Sequence, residues 1–260
     1  ANSIAEPRLP HMHQGLRVAR NGTVANRGVV ASSFRCRPIR VSASSTTPGP
    51  VPVRVLVMVP VMLTRVLDAW DKRVADGAKP THGLEVVLFD QVESNPKDYN
   101  VMDAVSLYNK EKCDSFISIG GGSAHDACKG ARISVAHDGR NINEFEGFAK
   151  STNKENPPHI AVSTTAGTGS ETSWAYVITD TSDMDHPHKW VGFDEATIVT
   201  VAIDDPLLYY TCPQHFTAFC GFDVLAHGSE PFVSRLDFAP SLGNALYSIE
   251  LVAKNLREAV

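Results

Sequence analysis

No two cysteines in this sequence stand in C-x-x-C spacing, and the five present, Cys36, Cys113, Cys128, Cys212 and Cys220, are odd in number. That excludes a zinc-ribbon pattern and argues against a disulfide framework, so the chain reads as reduced, intracellular and cytoplasmic. No apolar run approaches the length that spans a bilayer, which leaves no membrane role for a helix. Basic surplus is missing too: the net charge is −5, which gives no footprint for nucleic acid. With 43% hydrophobic residues in a chain of 260, what remains is one or two globular domains acting on small molecules.

The first fifty residues lack lysine and hold a single acid, Glu6, against seven arginines (Arg8, Arg17, Arg20, Arg27, Arg35, Arg37, Arg40). Their surplus of six positive charges leaves −11 for the rest of the chain. An Arg- and Ser-rich, acid-poor opening fits a transit peptide, but no amphipathic period runs through it. A disordered tail or a segment foreign to the fold explains the composition as well, and no function is placed there.

From residue 53 the pattern alternates. "VRVLVMVPV" predicts a buried strand, "LTRVLDAWDKRVAD" an amphipathic helix and "LEVVLFD" (84–90) a second strand. "VMDAVSLYNKEK" predicts another helix, followed by the strand "DSFISIG" (114–120). Such alternation predicts βαβ units on a mostly parallel sheet. "HIAVSTT" (159–165) reads as a further strand, and "ATIVTVAIDDPLL" as one more, closed by Asp-Pro. Beyond Pro213, "HFTAFCGFDVLAHGSEPFVS" and "PSLGNALYSIELVAKNLREAV" carry apolar residues at helical spacing. The organisation expected is therefore an atypical segment over 1–50, an α/β domain over 51–212 and the start of a helical domain over 213–260.

Two turns stand out. Gly120, Gly121, Gly122 and Ser123 follow a strand and open a helix, an arrangement that suits a phosphate or diphosphate, with a plain tight βα turn as the alternative. "AGTGSETSW" follows the next strand, so both loops belong at the carboxyl edge where open α/β sheets bind ligands. In the helical part, Asp223 and His227 lie four residues apart and share a helix face, as two ligands of a divalent metal would, or as a surface pair would. Residues 228–260 contain neither histidine nor cysteine, so nothing downstream completes that site. His186 and His188 resemble a metal clip but sit in a polar loop and are not taken as ligands. For His125 and Asp126, just inside the helix after GGGS, local capping is the default; Trp174 and Trp190 read as packing residues, and Lys189 as solvated unless a ligand reaches it.

The stretches "ISIGGGSAHDACKGA", "IAVSTTAGTGSETS", "AIDDPLL" and "CGFDVLAHGSEPFVS", in this order, resemble the iron-containing (group III) alcohol dehydrogenases, and within them the actinobacterial, dimethylnitrosoaniline-dependent methanol-oxidising branch. The resemblance covers roughly residues 84–260. It implies a Rossmann-like dinucleotide-binding α/β domain followed by an all-helical metal-binding domain, the dehydroquinate synthase-like architecture, with the active site between them. By the same resemblance Gly121, Gly122 and Ser123 match the diphosphate turn, Asp126 joins the cofactor contacts, and Thr164, Thr165, Thr168 and Ser170 match the second loop. Lys189 matches a lysine that approaches the cofactor, and Asp223 and His227 match the first two metal ligands. The family's other two ligands are histidines farther along, so the resemblance also implies a chain that stops short of them. The strand "VLVMVPVMLTRVLD" fits the family's adenosine end only loosely, which leaves NAD and NADP both open.

The chemistry so implied is oxidation of a small primary alcohol to its aldehyde. A divalent metal (iron, zinc or magnesium) would act as Lewis acid, and a tightly held nicotinamide would accept hydride. A diol or polyol dehydrogenase with exchangeable cofactor, or a non-catalytic nucleotide-binding fragment, are the other readings. A homo-oligomer is expected.

Overall fold

The computed structural model describes residues 53–60, 84–152, 155–235 and 238–260. The expectations for 1–50, and for a helix in "LTRVLDAWDKRVAD", lie outside the described residues.

Among the described residues five strands form one sheet: β1 (Val53–Pro60), β2 (Leu84–Val92), β3 (Ser115–Gly120), β5 (His159–Ser163) and β8 (Val201–Ile203), in the order β2-β1-β3-β5-β8. Every neighbouring pair in it is parallel. β1 explains its own central place, because Val55, Leu56, Val57, Met58 and Val59 are all buried and a strand covered on both faces needs a continuous apolar run. Leu56 and Met58 join the main core with Phe116, while Val55, Val57 and Val59 pack with Ile117 and Ile119 on the other face.

Helix α1 (Asp98–Glu111) starts where Asn100 Oδ1 accepts the Lys97 amide, and it stops at Lys112, which turns left-handed at φ 54. Its buried face, Val101, Ala104, Val105 and Tyr108, packs on α2 (Gly122–Val135) through Ala127, Cys128 and Ala131. A three-stranded sheet of β4 (Gly147–Phe148), β7 (His188–Phe193) and β6 (Ala175–Asp180) stands apart, with β6 and β7 paired antiparallel. Helices α3 (Gln214–Val233) and α4 (Ala239–Ala259) follow. They approach closely because Gly221 and Gly228 sit beneath Leu256 and Ile249. Among the described residues no helix is long and apolar enough to cross a membrane.

One expectation needs correction. "ATIVTVAIDDPLL" is not a single strand: only Val201–Ile203 pairs, between 3-10 turns at Glu195–Thr197 and Pro206–Leu208. Polar side chains break the extended run. The carboxylates of Asp194 and Asp205 accept from the Ala196 and Leu207 amides, and the buried Arg132 guanidinium takes the carbonyls of Pro157, Thr197 and Ile198. Arg132 thus ties α2 to two loops. Arg132→Met should lower unfolding free energy by roughly 2–4 kcal/mol, because charged donors to buried carbonyls are lost together. Urea unfolding checks this; a change below about 0.5 kcal/mol, the size of an ordinary surface effect, would show that the three contacts carry no stability.

Candidate active site

β3 ends at Gly120, and the chain turns at Gly121 directly into α2. No side chain caps that helix, and while the Ala124 amide donates to Gly121 O, the Gly122 and Ser123 amides stay available at the carboxyl end of the sheet. The default capping reading of His125 and Asp126 therefore fails. His125 turns inward, its Nδ1 2.7 Å from Ser118 Oγ, and that hydroxyl lies 2.7 Å from His159 Nε2. Asp126 points at the second loop, where it accepts from Ser170 Oγ at 2.5 Å and from the Val177 amide at 3.0 Å.

The strand expected over 159–165 ends at Ser163, and the second loop begins there. The Thr164 amide donates to Gly120 O at 2.9 Å, which ties one turn to the other. The two are packed without room for side chains between them: a Cβ on Gly121 would lie 2.8 Å from Thr165 Oγ1, and one on Gly122 3.0 Å from Thr168 Oγ1. Such backbone-lined turns at a helix N-terminus fit a diphosphate.

These turns form one wall of a cleft of about 740 Å³, within the range of sites that take a small ligand or cofactor. Gly122, Ser123 and Asp126 line it from α2, and Thr168, Gly169 and Ser170 from the second loop. Lys189 reaches it from β7; Asp223, His227 and Glu230 face it from α3. Gly121, Thr164 and Thr165 do not line it; Thr165 instead packs under the turn at Gly121. The structure thus gathers most of the residues expected at the site into one cavity, from four separate elements.

Asp223 Oδ1 and His227 Nε2 are 3.8 Å apart and both side chains are about half exposed. Donors about 2.1 Å from a tetrahedral ion lie about 3.4 Å apart, so a small rotamer change lets this pair serve as two ligands. Among the described residues no group of three or more histidine, cysteine, aspartate or glutamate side chains is arranged to hold a metal. His186 and His188 are engaged elsewhere, with Asp183 and Glu146.

A family model for iron-containing alcohol dehydrogenase matches residues 55–206. The chain belongs to the iron-containing alcohol dehydrogenase family. Over 178 residues it is 89% identical to a methanol:N,N-dimethyl-4-nitrosoaniline oxidoreductase of Rhodococcus erythropolis, a match over 68% of this chain and 42% of the relative. An NAD-dependent methanol dehydrogenase of Bacillus methanolicus is 37% identical over 68% of this chain and 45% of its own. Among solved structures, an alcohol dehydrogenase from Oenococcus oeni superposes with a TM-score of 0.70 at 34% identity, over 80% of this chain and 52% of that one. The chain spans less than half the length of these two curated relatives.

Within this alcohol dehydrogenase fold, the cleft also holds residues that the sequence reading does not single out. Asn95, in a left-handed conformation at φ 51 after β2, accepts from Lys189 Nζ at 2.8 Å, so Lys189 is exposed to solvent but tethered at its tip. Glu230 continues the Asp223–His227 face one turn on, a spacing visible in the sequence but passed over. Trp190 is a packing residue, its Nε1 donating to Asn143. Trp174 stacks edge-on between Phe148 and Phe193, and Phe193 reaches the cleft wall. Under the floor, burial pushes the Lys129 amine down to about 8 against the pull of the Asp126 and Glu171 carboxylates. Burial likewise raises Asp126, against the Lys129 charge and two hydrogen bonds.

Proposed function

We propose that this chain carries the dinucleotide site and two metal ligands of a dehydrogenase that oxidises small primary alcohols, methanol foremost, with hydride transfer to a nicotinamide cofactor. The observation that carries the reading is the shared cleft, in which the glycine turns and the Asp223–His227 pair face one cavity. The methanol-oxidising relative at 89% identity supports the substrate, and the NAD-dependent relative supports the cofactor.

The amides of Gly122 and Ser123 are suited to bind the diphosphate, with the Thr168 and Ser170 hydroxyls on the neighbouring loop. Lys189, steadied by Asn95, offers a cation to the cofactor from the opposite wall. Asp223 and His227 would hold a divalent metal. When bound, the metal supplies a Lewis acid for the alcohol oxygen and the nicotinamide supplies the hydride acceptor.

Asp223→Asn and His227→Ala should each lower methanol-dependent nicotinamide reduction by roughly a hundredfold or more, while dinucleotide affinity stays within about twofold. Steady-state kinetics with methanol and 1,3-propanediol, paired with calorimetric titration of NAD and NADP, checks both halves. Full activity in either variant would remove the metal pair from the reaction, and faster turnover of the diol would favour a diol dehydrogenase.

A further inference from the structure

Lys129 is fully buried, yet its side chain ends in a cage of oxygens rather than in a salt bridge at the surface. Its Nζ lies 2.5 Å from Ser170 O, 2.7 Å from Ala175 O, 3.1 Å from Ser170 Oγ and 3.2 Å from Ser173 Oγ. All four oxygens belong to one short stretch, the 3-10 turn Ser170–Thr172 and the residues leading into β6. An ammonium has three protons and no lone pair, so four oxygens around it suit the charged form and share its donors. On the same helix, one turn earlier, Asp126 grips the stretch from the other side through Ser170 Oγ and the Val177 amide. Ser170 is thus held by both charges at once. Thr168, Gly169, Ser170, Ser173 and Ala175 line the cleft, so the stretch that Lys129 holds is also part of the cleft wall.

We propose that Lys129 is the positioning residue of the dinucleotide site, its ammonium serving as a built-in cation that shapes the second glycine loop. It is not among the cleft-lining residues. Its effect is transmitted through Ser170 and Ser173. The inference rests on the dinucleotide reading above for its ligand, but the cage and its consequence for the loop stand without it. An oxygen cage for a cation has a property that ordinary packing lacks: once emptied, it can be refilled by a small cation from solution.

The test compares Lys129→Ala, Lys129→Met and the parent chain. Hydrogen exchange of amides 168–177 reads the loop alone, and calorimetric titration with NAD reads the site. Lys129→Ala should bind NAD roughly ten- to hundredfold more weakly, as expected for loss of several charge-assisted hydrogen bonds, with faster exchange confined to 168–177. Ammonium or methylammonium, at concentrations where tetramethylammonium has no effect, should restore affinity in Lys129→Ala; Lys129→Met, with the cage filled by an apolar chain, should not respond. Unchanged exchange and unchanged NAD affinity in a folded variant would overturn the proposal, as would equal rescue of both variants. If Lys129→Ala fails to fold, Lys129→Met decides: parental loop exchange in it overturns the positioning role. If the parent chain itself does not bind NAD, the dinucleotide reading falls, while local exchange in the variants still judges the cage.

Discussion

Under the function proposed above, Gly167→Val should lower hydride transfer and dinucleotide affinity by roughly a hundredfold, the order expected when a reacting pair is misplaced by about 1 Å. The reason lies in a backbone contact between the second loop and α3. A Cβ on Gly167 would lie 2.6 Å from Cys220 Cβ, 2.6 Å from Cys220 O and 2.8 Å from Cys220 Cα. Only the first of these belongs to a side chain. Cys220 lies on the helix that carries Asp223 and His227, about one turn before the pair, so any added atom pushes the loop and that helix apart. Cys220→Gly in the Gly167→Val background should therefore restore only a small part of the loss, because the carbonyl and Cα remain in the way. Gly243→Ala in α4 is the control: nothing lies within 4 Å of its would-be Cβ. That change should leave binding alone and add up to about 1 kcal/mol of stability, the usual gain for alanine over glycine in a helix. Calorimetry and stopped-flow kinetics on the three variants measure the effect, and parental binding in Gly167→Val would show that the loop and α3 can separate freely.

Acid should destabilise the fold well above the usual carboxylate range. His125 and His159 are fully buried on either side of the Ser118 hydroxyl. Burial, with the Lys129 charge, pushes His125 down from 6.5 to about 4; burial and the Arg132, His125 and Lys129 charges hold His159 well below 6.5. Both rings are neutral in the folded protein at neutral pH and take up protons near 6.5 when it unfolds. The histidines' contribution to stability is therefore complete above about pH 6.5 and is lost as the pH drops toward 4, where His125 would protonate in place; that histidine alone accounts for about 3 kcal/mol. Asp126 and Glu171, raised by burial, contribute with the opposite sign. Variants therefore assign the effect better than the raw slope does. Urea unfolding between pH 8 and 4.5 should show His125→Asn and His159→Gln each with a flatter profile than the parent. Parallel profiles in all three would rule the histidines out as its source.

The single hydroxyl proton of Ser118 also makes the two imidazoles unequal. If it is donated to His125 Nδ1, His159 must donate from Nε2, and the reverse assignment reverses both. Neither histidine was legible as a core residue in the sequence. "GGGSAHDACKG" showed His125 only as a residue near a helix start, where capping is the ordinary guess, and His159 only as the first residue of a strand. Their partners come from β3, α2 and β5, and sequence distance hides such a meeting. Lys129 was missed for the same reason, since a lysine at helical spacing reads as solvated until the chain it grips, forty residues on, is placed over it.

What the sequence did show clearly was alternation and turns. The β1 run, the GGGS turn and the parallel sheet were visible because each is a local pattern, and the family model matches over the same span. The break-up of "ATIVTVAIDDPLL" was not, because residues 195–198 are held by Asp194 and Arg132 rather than by propensity. The meeting of Asp223 and His227 with the glycine turns rests on the Gly167–Cys220 approach, a contact that periodicity cannot express.

The short β8 has a bearing on how this protein behaves in a crowded solution. It lies at one margin of the five-stranded sheet, and all three of its residues are exposed. An exposed strand margin invites another chain to pair with it and start an aggregate. Here the invitation is brief, because Asp204, Asp205 and Pro206 follow immediately. Two negative charges and a residue with no amide to donate would meet any strand growing along that margin. The same Asp205 that caps the turn after β8 thus also shortens the margin open to a neighbouring strand.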